Sequence, residues 1–349
     1  MTAVLRPPEV PVTTTAPAGP APSTTGPVGP PPPFDPEIAA ALAVFGDQMP
    51  PSLTTDMIAL LRQPNPALPA PTDDDLRRDG AFTVEERLVP GPEGAPEVSL
   101  LIIRPTGASG PLPGVVHLHG GGMIIGDNRT GVLEMLDWAQ ELPMVVVSVE
   151  YRLAPETPHP GPVEDCYAGL VWTVEHADEL GIDPERVIVA GASAGGGLSA
   201  GVALMARDRG GPVLAGQVLI YPMLDDRNDT PSAVQMAGLG VWDRTSNDTG
   251  WTALLGEARG GPDVSPYAAP ARAADLSGLP PTFIDVATAE TFRDEDVAYA
   301  GRIWQAGGQA ELHVWPGGCH GFDVFAPQAG ISQEARAARV RWLRRLFGE

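Results

Sequence analysis

Gly191-Ala192-Ser193-Ala194-Gly195 stands between an apolar run, Arg186-Val187-Ile188-Val189-Ala190, and a stretch of helical character from Gly195 to Arg209. A strand that turns into a helix across one serine leaves few folds open. On so sharp a turn the serine Oγ is pushed out of the sheet. A Cβ at Gly191 or Gly195 would collide with neighbouring backbone. The next amide, Ala194 N–H, begins the helix and points at whatever Ser193 attacks. The pattern itself is short, so its partners decide what it means.

Upstream, the strand-like Gly114-Val115-Val116-His117-Leu118 leads into His119-Gly120-Gly121-Gly122. Three consecutive glycines leave backbone N–H groups free to converge on one anion, which makes Gly121, Gly122 and Ala194 candidate oxyanion donors. Downstream, Glu290 follows an apolar strand over 282–287, and His320 lies in Gly318-Cys319-His320-Gly321-Phe322. A serine hydroxyl is a poor attacker without a base in hydrogen-bond reach. His320 fits that role, with Glu290 to orient its imidazole. Asp294 and Asp285 are the alternative acids, Asp294 fitting better as a cap or bridge for the following helix. His119 reads as a brace of the glycine loop. His117 and His119 share a strand face but lack a third ligand, so no metal site is expected, and no cofactor. Cys319 reads as a small packed residue beside His320.

Together with Tyr151-Arg152-Leu153-Ala154-Pro155-Glu156, Pro162-Val163-Glu164-Asp165-Cys166-Tyr167 and Arg293-Asp294-Glu295, these residues resemble the hormone-sensitive-lipase family of α/β-hydrolases, also called bacterial esterase family IV. The resemblance spans roughly residues 80–349. The chain departs from the family at Ala192, where Asp or Thr is usual, and at Glu290-Thr291-Phe292, where the family has Asp-Pro-Leu. The resemblance implies an α/β-hydrolase fold and a serine carboxylesterase for short- to medium-chain esters. It also implies tolerance of bulky alcohol moieties at the glycine loop, and a homodimer through the last strand, about 310–315. Tyr151–Glu156 and Asp165 would then be scaffold for the glycine loop. Amide hydrolysis and acyl transfer on the same triad remain open. So does a small-molecule binding role, although relatives with that role have lost the histidine that this chain keeps.

Strand-like segments fall at about 81–89, 97–104, 114–119, 143–149, 186–190, 215–221, 281–287 and 309–315. Helical stretches near 130–141, 162–178, 194–209, 294–306 and 332–347 separate most of them. That alternation predicts an eight-stranded, mostly parallel sheet with helices on both faces, its first two strands an antiparallel edge. The catalytic domain is expected over 81–349. The long interval between Tyr221 and Pro281 reads as a cap insertion at about 226–278. Residues 34–80 form an N-terminal cap segment, with Asp35-Pro36 opening one helix and a second near 55–62. Met123, Trp242 and Trp251, with Phe45 and Met49, are expected around the substrate pocket.

Residues 1–33 hold 11 prolines among Thr, Gly and Ala, a composition that predicts an extended, mobile tail. With 22 arginines, no lysine and a formal charge of −22, the chain disfavours nucleic acid and anionic membrane as partners. No run approaches the ~20 apolar residues of a membrane span, and no apolar leader core follows Met1. Two cysteines offer no disulfide framework, and a cytoplasmic protein is expected. The one basic cluster, Arg336, Arg339, Arg341, Arg344 and Arg345, reads as a solvated helix face.

Overall fold

The computed structural model describes residues 28–46, 52–64 and 69–349. Most of the proline-rich tail, Met49 and the side chain of Phe45 lie outside the described residues. Eight strands, β1 (Phe82–Val89), β2 (Val98–Pro105), β3 (Leu112–Leu118), β4 (Val145–Glu150), β5 (Ile182–Ala192), β6 (Gly216–Ile220), β7 (Thr282–Ala287) and β8 (Ala310–Trp315), form one sheet. Their order is β1-β2-β4-β3-β5-β6-β7-β8. β1 and β4 both run antiparallel to β2, and every pairing from β4 to β8 is parallel. β5 starts four residues before the expected 186. Ile182 pairs with Leu112 ahead of a register shift at Gly114, and the polar Asp183 to Arg186 hid that extension.

Successive side chains of a strand point to opposite faces, and here both faces are covered. Val116, Val189, Leu219 and Ile284 join Leu170, Leu198 and Ile303 in one core. Val115, Ile188, Val218 and Phe283 join Leu136, Ala338 and Leu343 in the other. Each such fully buried aliphatic side chain contributes about 1.5–3 kcal/mol relative to exposure. The helix Gly161–Glu175 ends sooner than expected, because His176 leaves helical geometry before a short turn at Ala177–Leu180.

Before β1 lie the helix Pro36–Gly46, a short helical stretch over 55–61, and a third helix, Asp73–Arg77, closed by a Thr72/Asp75 capping box. The interval after β6 carries the helices Pro231–Gln235 and Arg244–Leu255. The two segments are joined by Ser52 Oγ to Asp243 (2.9 Å), Leu53 N–H to Ser246 Oγ (2.8 Å) and Thr249 Oγ1 to Leu53 C=O (2.8 Å). Asp35 accepts from Glu37 N–H and so caps its helix, while its own N–H donates to Gly317 C=O, three residues before His320. Among the described residues no helix is long and apolar enough to cross a membrane.

Candidate active site

Ser193 sits at φ 60°, ψ −122°, in the sparsely populated region expected of a strand-to-helix elbow. Its N–H donates to Ile220 C=O (2.8 Å), and its C=O accepts from Met223 N–H (2.9 Å) and Gly197 N–H (3.0 Å). These bonds hold a conformation that costs on the order of 1–3 kcal/mol. A Cβ on Gly195 would lie 1.9 Å from Leu118 O, so only glycine lets the helix Ala194–Asp208 start this close to β3. A Cβ on Gly191 would lie 2.4 Å from the carbonyl carbon of Gly195.

His320 bridges two partners. Its Nε2 is 2.9 Å from Ser193 Oγ, and its Nδ1 is 2.5 Å from Glu290 Oε1. Asp294 instead accepts from Ser232 N–H (2.8 Å) and pairs with Arg293 (2.8 Å), bridging the helices Pro231–Gln235 and Arg293–Gln305. Asp285 pairs with Arg339 at 2.8 Å. Burial pushes the Glu290 carboxyl above its ordinary range, against the pull of the neighbouring His320. The imidazole is also fenced by ring edges: Tyr221 at 4.9 Å, Phe292 at 5.2 Å and Trp242 at 6.3 Å between centroids.

The glycine loop abuts the elbow, since a Cβ on Gly120 would stand 3.0 Å from Ala192 O and 3.6 Å from Ser193 Cβ. The N–H groups of Gly121, Gly122 and Ala194 have no acceptor among the described residues, which leaves them able to receive a developing oxyanion. The loop is braced from behind. His119 stacks on Tyr151 (4.0 Å, 11°), and Tyr151 OH donates to His119 C=O at 2.8 Å. Arg152 grips Asp165 through two bonds of 2.7 Å, and Ala154 N–H donates to Met123 C=O. Arg62, which the sequence did not single out, ties the N-terminal segment to Ile124 C=O (2.7 Å) and Ala154 C=O (2.6 Å). Burial drives the imidazole of His117 down to about 3 and that of His119 to about 4, so both are neutral near pH 7. His117 is held by Ser148 Oγ at 2.8 Å. Cys166 and Cys319 are buried and free, and burial pushes the Cys319 thiol well up.

The three side chains expected around the pocket part company. Trp242 stands beside His320 and over the glycine loop, its ring 2.4 Å from where a Gly122 Cβ would be. Met123 is buried with its methyl end toward Gly197, and Trp251 is wholly buried in the core. Trp251 therefore packs the insertion against the domain instead of facing an open pocket. The basic cluster needs a correction too. Arg339 is 0 % exposed and joins Asp285, Asp323 and Glu134. It lies on the face of its helix that buries Ala335, Ala338, Trp342 and Leu343. That apolar spacing was the signal available in the sequence. Burial would lift the Asp323 carboxyl, but Arg339 beside it holds it below its ordinary value.

A mostly parallel sheet with a strained serine at the end of its fifth strand defines the α/β-hydrolase class. A family model described as the alpha/beta hydrolase fold matches residues 115–324. The chain belongs to this family, within its hormone-sensitive-lipase branch of esterases. It is 39% identical over 268 residues to carboxylesterase NlhH of Mycobacterium tuberculosis, covering 75% of this chain and 82% of that protein. A stretch of 109 residues is 41% identical to mouse hormone-sensitive lipase, covering 31% of this chain and 14% of that one. Among solved structures, a bacterial heroin esterase superposes with a TM-score of 0.80 at 40% identity, covering 90% of this chain and 98% of that one.

Proposed function

We propose that this chain is a cofactor-independent serine carboxylesterase in which Ser193, His320 and Glu290 form the catalytic triad. The observation that carries the reading is His320, hydrogen-bonded to Ser193 Oγ through one ring nitrogen and to Glu290 through the other. Ser193 Oγ attacks the ester carbonyl carbon while His320 Nε2 takes the hydroxyl proton. The carbonyl π pair moves onto oxygen, where the N–H groups of Gly121, Gly122 and Ala194 receive it. Losing one such donor typically costs about 3–4 kcal/mol in the transition state. Collapse restores the carbonyl, breaks the bond to the alcohol oxygen, and returns the proton from Nε2 to that oxygen. Water then attacks the acyl-serine, giving its proton to His320. The acid departs as Ser193 Oγ regains that proton. Glu290 keeps the imidazole in the Nδ1–H tautomer and stabilises the imidazolium.

Short- to medium-chain esters are the proposed substrates, with Trp242 forming one wall beside His320. Hydrolysis of p-nitrophenyl esters across acyl lengths from two to sixteen carbons tests this, with Ser193→Ala run beside the wild type. Turnover of short chains that vanishes in the variant is expected, and a Ser193→Ala protein that keeps turnover sinks the reading. A homodimer through β8 belongs to the same proposal. That strand lies at the sheet edge with Val314 exposed, and an unpaired edge invites a partner strand. A monomer at micromolar concentration in sedimentation removes it. The two free, buried cysteines support a cytoplasmic setting, and secretion of the full chain from its native cell contradicts that.

A further inference from the structure

Ser193 follows β5 and His320 follows β8, two strands that the sheet does not pair directly, and something must hold those two loops at hydrogen-bond distance. Ser193 is fixed to β6: its N–H donates to Ile220 C=O, and its C=O accepts from Met223 N–H. Tyr221 lies between those two residues. It has φ 33°, a conformation that L side chains rarely adopt, and its N–H donates to Asp285 C=O at 2.6 Å. Backbone strain of this kind persists only where the surroundings enforce it, and it concentrates at functional sites. The Tyr221 ring stands edge-on to the His320 imidazole at 4.9 Å, and its hydroxyl donates to Asp323 Oδ1 at 3.0 Å. Asp323 is three residues past His320, in the first turn of the short helix Phe322–Phe325.

We infer that Tyr221 and Asp323 form a positioning clamp that registers the Ser193 elbow to the His320 loop, with Arg339 as its anchor. The inference rests on the triad reading above and goes beyond it, because neither residue hydrogen-bonds to Ser193, His320 or Glu290 through its side chain. Arg339 binds Asp323 through Nη1 and Asp285 Oδ2 through Nε at 3.0 Å. It reaches Glu134 at 2.7 Å, and its guanidinium lies 6.0 Å over the Tyr221 ring. Trp315 Nε1 donates to the same Asp285 oxygen at 3.1 Å. Tyr221, Asp285, Asp323 and Arg339 are all at most 2 % exposed. One hydroxyl-to-carboxylate bond thus joins the end of β6 to the His320 loop, and the guanidinium prevents Asp323 from turning away. The same contact keeps the Tyr221 ring beside the imidazole, which Phe292 also meets edge-on at 5.2 Å, so two aromatic rings limit the motion of His320.

The chemistry needs this accuracy. A displacement near 1 Å between nucleophile and base can cost about 100-fold in rate without weakening substrate binding. Tyr221→Phe keeps the ring and removes the hydroxyl. It is expected to lower kcat on p-nitrophenyl butyrate by about 10- to 100-fold, with KM changed by less than about threefold and the far-ultraviolet circular dichroism unaltered. Asp323→Ala should lower kcat similarly. The double variant should be no worse than either single one, as expected when two residues act through one bond. Asp323→Asn retains an oxygen for the tyrosine hydroxyl and should keep more of kcat than Asp323→Ala. Wild-type kcat in Tyr221→Phe overturns the clamp, as do additive losses in the double variant. If Tyr221→Phe does not fold, the Asn and Ala variants at 323 decide the matter, and equal kcat in the two overturns the clamp. The parent reading has its own failure: a wild-type protein without Ser193-dependent turnover takes the clamp down with it. A wild type that turns over while Tyr221→Phe matches it removes the clamp alone.

Discussion

Replacing Glu290 by Gln tests the assignment of the acid with the least change in shape. Glu290 Oε1 lies 2.5 Å from His320 Nδ1, while Oε2 is buried without a hydrogen-bond partner. A glutamine in the same rotamer has two options. Its oxygen can accept from Nδ1–H without a charge to balance the imidazolium, or its NH₂ can donate to Nδ1 and select the tautomer that cannot take the Ser193 proton. Loss of the equivalent carboxylate charge in serine-protease triads lowers kcat by about 10⁴-fold, which is about 5.5 kcal/mol in the barrier. The expected result for Glu290→Gln is therefore a drop of about 10³- to 10⁴-fold in kcat with little change in KM. Stability should move the other way. A carboxyl whose pKa is raised in the folded state contributes stability while protonated and loses it as pH rises through the folded value. A neutral amide escapes that loss, so the melting temperature at pH 8 should not fall. Asp294→Asn is the control: its carboxylate braces Ser232 N–H, and kcat should stay within about tenfold of wild type. Steady-state kinetics and thermal melts on both variants settle the question. A Glu290→Gln enzyme with more than about a tenth of wild-type kcat, beside a dead Asp294→Asn enzyme, would refute the assignment.

Two further perturbations follow from the packing. Gly195→Ala puts a methyl 1.9 Å from a backbone oxygen that no side-chain rotation can move, so the helix must shift away from β3. Destabilisation by about 3 kcal/mol or more in urea unfolding is expected, with lower kcat as Ala194 N–H moves, and a variant of wild-type stability contradicts this. His117 and His119 resist protonation in the fold, with values of about 3 and about 4 against an ordinary 6.5. Between pH 6.5 and 4 the unfolded chain binds more protons, so stability falls with falling pH by about 1.4 kcal/mol per unit for each histidine. The buried carboxyls titrate with the opposite sign in the same window, so the test is a difference: His117→Asn should shift the slope of stability against pH by up to about 1.4 kcal/mol per unit relative to wild type in urea titrations at several pH values, and an unchanged slope rejects the assignment.

What local sequence determined is what local physics can encode. Runs such as Val145-Val146-Val147 and Val187-Ile188-Val189 are apolar at every position because both of their faces are buried, so all eight strands were readable to within about four residues. The elbow was readable for the same reason: Gly191 and Gly195 flank Ser193 because backbone approaches backbone there, a constraint carried within five residues. The choice of acid was not local. Glu290 and Asp294 are four residues apart and chemically alike, and only the packing of the helix Pro231–Gln235 sends Asp294 to Ser232 and leaves Glu290 to His320. Arg339 looked solvated within an arginine-rich helix, yet it is buried because that helix turns it toward three carboxylates from distant segments. Tyr221 and Asp323 are 102 positions apart, and no periodicity links them. Such pairings depend on how the whole sheet twists and which helix face docks on it, so they were decided by tertiary structure alone.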